Sequence, residues 1–108
     1  MPHKVRIVVA VILALSWAGT ASGALYTVTK TADDGTVGTL RWAITSANGS
    51  PGTDSIWFAI PASGVQTIFP SPGLPPLTDA AGVVIDGTTQ SGAGCGSSPP
   101  STATLLIE

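Results

Sequence analysis

Apolar and polar positions alternate in short bursts along this chain, with one exception. Leu25 to Thr31 reads Leu-Tyr-Thr-Val-Thr-Lys-Thr, β-branched and alternating, which predicts a strand. Asp33-Asp34-Gly35 closes it with turn chemistry. The exception follows: Leu40, Ala43, Ile44 and Ala47 recur at helical spacing and predict a short amphipathic helix. Thr39 or Thr36 supplies its N-cap, Asn48-Gly49 suits a left-handed exit, and Pro51 prevents continuation. Ser55 to Ile60 alternates again, with Ile56, Phe58 and Ile60 on one face and Trp57 on the other. Val65 to Phe69 is a further short strand. Leu74 to Thr78 is a weak one, restricted by Pro75 and Pro76 to an edge or bend. Val83 to Ile85 follows, closed by Asp86-Gly87, and Thr104 to Glu108 opens a last strand. Between them, Gly87 to Thr104 has no charge and no large apolar side chain and reads as a surface loop.

The apolar triplets Ile56–Phe58, Val83–Ile85 and Leu105–Ile107 recur at intervals of 27 and 22 residues. Repeats of about 20–50 residues suggest solenoid units, which bury a hydrophobic face only by stacking on neighbours. The expectation is an N-terminal piece of a longer chain, its downstream coils lying past Glu108.

The first residues follow another pattern. Lys4 and Arg6 precede an unbroken apolar run from Ile7 to Leu15, and small residues occupy Gly19 to Ala24. Basic start, short apolar centre and small-residue exit are the parts of a secretory signal peptide. A bilayer span needs about 20 apolar residues, more than this run holds. Cleavage is expected after Ala24, with Ala21 and Gly23 as alternatives. No Cys follows the apolar run, so no lipid anchor is expected. The organisation read here is a signal peptide over 1–24, a strand and helix over 25–53, and stacked strands over 54–108. The protein is expected to be secreted or held at the cell surface.

Composition narrows the function further. The 84 residues after Ala24 carry Lys30 and Arg41 against six acidic groups, for a net charge of −4. That balance offers no basic stripe to nucleic acid or anionic lipid. His3 departs with the leader, which removes imidazole-dependent triads and histidine metal sites from the mature chain. Cys95, a lone exported thiol, calls for a partner further along the polypeptide.

The stretch from Thr27 to Gly35, continued by Gly38-Thr39-Leu40-Arg41-Trp42-Ala43-Ile44-Thr45-Ser46-Ala47-Asn48, resembles the CSLREA-type domain. Pro51 to Phe58, Leu77-Thr78 and Val84 to Thr88 extend the likeness over roughly Tyr26 to Thr89. Gly38-Thr39 stands where the family has Cys-Ser, and Trp42 where it has Glu. The family is found at the N-termini of secreted bacterial right-handed parallel β-helix proteins with a pectate-lyase-like fold. The resemblance therefore implies an all-β fold, the start of a right-handed parallel β-helix, with one short α-helix capping its open end. Leu40, Ala43, Ile44 and Ala47 would cover the apolar cross-section, contributing roughly 4–6 kcal/mol of burial at most.

Candidate chemistry is thin. Arg41 and Asp54 read as an internal ion pair tying the helix to the following strands, in preference to a clamp for a substrate carboxylate. Asp33 and Asp34 could open a calcium loop, but Asp-Asp-Gly is an ordinary turn. Asp79 and Asp86 could be paired hydrolase carboxylates, although Asp86-Gly87 ends a strand as turns do. Trp42 and Trp57 lie off the apolar faces and could stack on sugar rings of an extracellular polysaccharide or a cell-surface partner; packing is the better reading. Structural roles fall to Leu40, Arg41, Ala43, Ile44, Ala47, Asn48 and Asp54. Neither a cofactor nor a metal is implied. The function expected is a structural cap and first coils of a surface protein, adhesin-like or carbohydrate-contacting. The alternative is the leading part of an extracellular polysaccharide lyase or glycoside hydrolase whose catalytic coils lie beyond Glu108.

Overall fold

The computed structural model describes residues 22–94 and 103–108. The apolar run after Lys4 and Arg6 and the lone Cys95 lie outside these residues. In chain order the elements are β1 (Leu25–Val28), α1 (Leu40–Asn48), β2 (Asp54–Phe58), β3 (Gln66–Ile68), β4 (Val83–Asp86), a 3-10 turn (Gly87–Thr89) and β5 (Leu105–Ile107). β1, β2 and β4 form a three-stranded parallel sheet in that order, and β3 pairs with β5 in a second parallel sheet.

This arrangement corrects the expected all-β class. The described chain is a small mixed α/β unit of five short strands and one α-helix, and no closed or curled β-helix forms among the described residues. The reason lies in how the parallel strands are layered, not in their direction. Parallel neighbours cannot be joined by a tight hairpin and need a crossover of about a dozen residues or more. Between β1 and β2 that crossover contains α1, which packs on both strands. Residue alternation reports which face is buried but is blind to sheet closure.

The helix starts at Thr39, whose hydroxyl accepts from the Trp42 N–H at 3.2 Å and donates to the Thr36 carbonyl at 2.8 Å. Its exit is not left-handed: Gly49 has φ −99°, and the Gly49 and Ser50 amides tighten the last turn onto Ser46 and Ala47. Gly38 is the position where glycine is demanded. Its φ is +95°, a Cβ there would lie 2.6 Å from Thr29 Oγ1, and its carbonyl accepts from both Thr29 and Lys30. Gly38 thus lets the β1–α1 connection fold back onto the end of β1.

One core joins the layers. Val28, Ile56, Phe58 and Ile68 from the strands, with Ile60 just past β2, meet Leu40, Ala43, Ile44 and Ala47 from α1, all of them buried. Leu74 to Thr78 forms no strand. Pro75 and Pro76 have no N–H to give a ladder, and the neighbouring polar groups bond to the helix: Asn48 Nδ2 donates to the Pro76 carbonyl at 2.9 Å, and Thr78 N–H donates to Asn48 Oδ1 at 2.9 Å.

The segment after β4 is also more structured than a surface loop. Asp86 Oδ1 accepts from the Thr88 amide and hydroxyl, as Asp34 Oδ1 accepts from those of Thr36, so Asp-Gly-Thr makes the same turn twice. Thr89 Oγ1 then accepts from Phe58 N–H at 2.7 Å. Gln90, 2% exposed, accepts from Ile60 N–H and donates to Ile60 C=O, both at 2.9 Å. Side chains thereby continue the pairing of β2 beyond the end of β4.

Candidate functional site

Of the polar groups singled out from sequence, Arg41, Asn48 and Asp33 meet along one flank of α1. Arg41 and Asn48 lie seven residues apart, two helical turns, and so share one side of the helix. Asn48 holds Pro76 and Thr78 as described; Arg41 grips the same Pro-rich segment further upstream. Its Nε and Nη2 donate to the two Asp33 carboxylate oxygens at 3.1 and 2.7 Å, a bidentate pair. Nη1 donates to the Gly73 carbonyl at 3.2 Å and Nη2 also to the Pro72 carbonyl. Asp33 Oδ2 accepts in turn from the Ser71 N–H at 2.8 Å.

Arg41 thus pairs with Asp33, not with Asp54 as expected. Asp54 opens β2 wholly buried, its Oδ1 accepting from Ala24 N–H at 2.6 Å and Ser50 Oγ at 3.3 Å. With Nε, Nη1 and Nη2 all committed to groups of the chain itself, the guanidinium is a fastener for residues 71–73. It leaves no fork open to a substrate carboxylate.

The remaining carboxylates serve their own turns. Asp34 is bound by Thr36, Asp86 by Thr88, and Asp79 Oδ1 accepts from Ala81 N–H at 3.0 Å. Among the described residues, no three metal-ligating side chains gather into a candidate metal site. The tryptophans part company. Trp42 packs edge-on against Tyr26, ring centroids 5.6 Å apart. Trp57 faces outward from β2, 46% exposed, between Thr27 of β1 and Asp86 of β4 in register.

Electrostatics follow from the contacts. Arg41's hydrogen bonds, then the Ser71 amide, hold the Asp33 carboxyl below its ordinary 3.8. The Thr36 hydroxyl and amide do the same for Asp34. A carboxyl depressed in the folded state stabilises above its unfolded value, and that stability drains as pH falls through the folded value. Unfolding free energy should therefore decline below about pH 4, and Asp33→Asn should flatten the decline. In a double-mutant cycle read by urea unfolding, Arg41→Gln and Asp33→Asn should couple, while Arg41→Gln and Asp54→Asn should be additive. Coupling to Asp54 alone would contradict this geometry. Arg41→Lys should recover little, because an ammonium cannot reproduce the fork across a carboxylate and two carbonyls.

The fastening of residues 71–78 was missed in the sequence because Asp33 and the two carbonyls come together only once that segment folds across the helix. Gln90 was missed because it lies in an uncharged stretch; the available signal was the second Asp-Gly-Thr just before it. Comparison with protein-family models, with curated proteins and with solved structures finds no match to this chain.

Proposed function

We propose that the chain is a structural module of an exported protein. Helix α1 and its Arg41 and Asn48 fastenings close one side of a parallel sheet, while the edges of β4 and β5 receive further parallel strands of the same polypeptide. One observation carries this reading. Tyr26, Ile56 and Ile85 form one inward row across the first sheet, and Ile68 and Ile107 form another across the second. Ile56 and Ile68 are wholly buried, yet Ile85 and Ile107, next in the same rows, stand 42% and 43% exposed. Core-facing isoleucines left open at a sheet edge are sites for another strand. The leader-like first residues and the likeness to CSLREA-type N-terminal domains support the exported, structural role.

Exported chain lacking such strands should pair through these edges. Sedimentation should show association in the micromolar range, and Ile85→Lys with Ile107→Lys should keep the chain monomeric. Half-exposed positions let a lysine reach water, so the substitutions test the edge more than the core. A wild-type chain that stays monomeric throughout would overturn the reading.

A further inference from the structure

Among the described residues Asp54 and Asp79 each enclose a carboxylate oxygen without a hydrogen-bond partner, and Asp54 is the one wholly buried. Its side chain has no exposed surface, and Oδ2 is enclosed without a hydrogen-bond partner among those residues. Oδ1 is met only by neutral donors, Ala24 N–H at 2.6 Å and Ser50 Oγ at 3.3 Å. Burying a carboxylate is costly unless a cation or a full set of donors meets it. Lys30 and Arg41 are the sole Lys or Arg after residue 24. Lys30 reaches Thr36, and Arg41 is committed to Asp33. What faces Asp54 is a backbone nitrogen at the boundary of the leader-like segment.

We propose that the chain is cut between Gly23 and Ala24, and that the α-ammonium released on Ala24 is the counter-ion of Asp54. The proposal rests on the reading of the first residues as an export leader. An endopeptidase of the export machinery adds water across the Gly23–Ala24 bond. The C–N bond breaks, hydroxyl goes to the Gly23 carbonyl carbon and hydrogen to the Ala24 nitrogen. The proton lost by the new Gly23 carboxyl is matched by the one the amine takes up. A nitrogen that offers Asp54 one N–H in the uncut chain then offers three and a positive charge, enough to serve Oδ2 as well as Oδ1.

The neighbouring bonds are worse choices. Cutting after Ala24 removes both the N–H on Asp54 and the Ala24 carbonyl that accepts from Ser55 N–H at 2.8 Å. Cutting after Ala21 leaves the Ala24 nitrogen a neutral amide. Ala21 and Gly23 provide the small residues a leader peptidase needs three and one positions before the cut. Residue 23 also sits hard against the next strand's approach, since a Cβ there would fall 1.6 Å from the Thr53 carbonyl oxygen. Leader removal thus ends a tight fit and completes a buried ion pair in one step, coupling final stability to export.

The test uses the full chain with Lys30→Arg, so that after leader removal the α-amine is the sole amine. It is expressed in an exporting host, and the product's mass and first residue are determined. Ala24 should be first. An amine-acylating reagent at neutral pH should modify it about tenfold or more slowly in the native protein than in urea. Protein acylated in urea and refolded should melt at least about 5 °C lower, as expected when a buried ion pair loses one partner. Asp54→Asn should abolish both the protection and the difference in melting. A product starting at Ser22 or Leu25, or equal acylation rates in native and unfolded protein, would overturn the ion pair and leave export intact. Recovery of nothing but uncut chain inside the cell would overturn both.

Discussion

Truncating Phe58 to alanine is expected to remove about 3–5 kcal/mol of unfolding free energy, the range seen when a large aromatic leaves a packed core. Phe58 is 1% exposed at the end of β2, where it stands in register with Val28 and shares the cluster formed by Leu40, Ile44, Ile56 and Ile68. Helix and both sheets contribute to that cluster, so no single layer can collapse to fill the space. Small domains are stable by about 5–15 kcal/mol in all, so the variant should be partly unfolded near room temperature if the chain lies at the low end. Trp57→Ala supplies the comparison. The side chain next door is larger but faces outward, and its loss should cost about 1 kcal/mol or less. Urea unfolding of both variants measures the difference. Equal costs would mean that the two faces of β2 are assigned the wrong way round.

That contrast also shows what alternation makes legible. Ile56, Phe58 and Ile60 on one face, Trp57 on the other, and the Leu40–Ala43–Ile44–Ala47 stripe are periodic properties of a few consecutive residues, and the structure places each on the side its period implies. Fold class was not legible in the same way, because alternation marks the buried face of a strand and says nothing of whether successive parallel strands close into a coil or lie in separate sheets under a helix. The run from Leu74 to Thr78 was misread because apolar content outweighed the missing donors of two prolines. Arg41 was recognised as a fastening residue, but its partner was not. Choosing between Asp33 and Asp54 depends on where residues 71–73 cross the helix, and nothing local to Arg41 encodes that crossing. Polar groups that work at a distance are the hardest to place, since a hydrogen bond over thirty residues leaves no period behind it.

Gln90 is the sharpest instance, and it carries the second large effect. Its amide occupies the place of a strand, accepting from Ile60 N–H and donating to Ile60 C=O at a buried site. Methionine has nearly the same length and shape but can serve neither group. Gln90→Met should leave a buried donor and a buried acceptor unpaired and cost about 2–6 kcal/mol, at about 1–3 kcal/mol for each. Packing volume is nearly conserved, so the loss can be assigned to hydrogen bonding and not to a cavity. Gln90→Glu separates the two bonds. An ionised carboxylate still accepts from Ile60 N–H but repels the Ile60 carbonyl oxygen and brings a charge into a buried site, so it should be at least as damaging as methionine at neutral pH. Amide exchange gives the site-specific readout: Ile60 N–H should be strongly protected in the native protein and lose protection in Gln90→Met. A methionine variant as stable as wild type, with the Ile60 amide still protected, would show that another group pairs with the β2 backbone past Phe58. The extension of the sheet by side chains would then have to be abandoned.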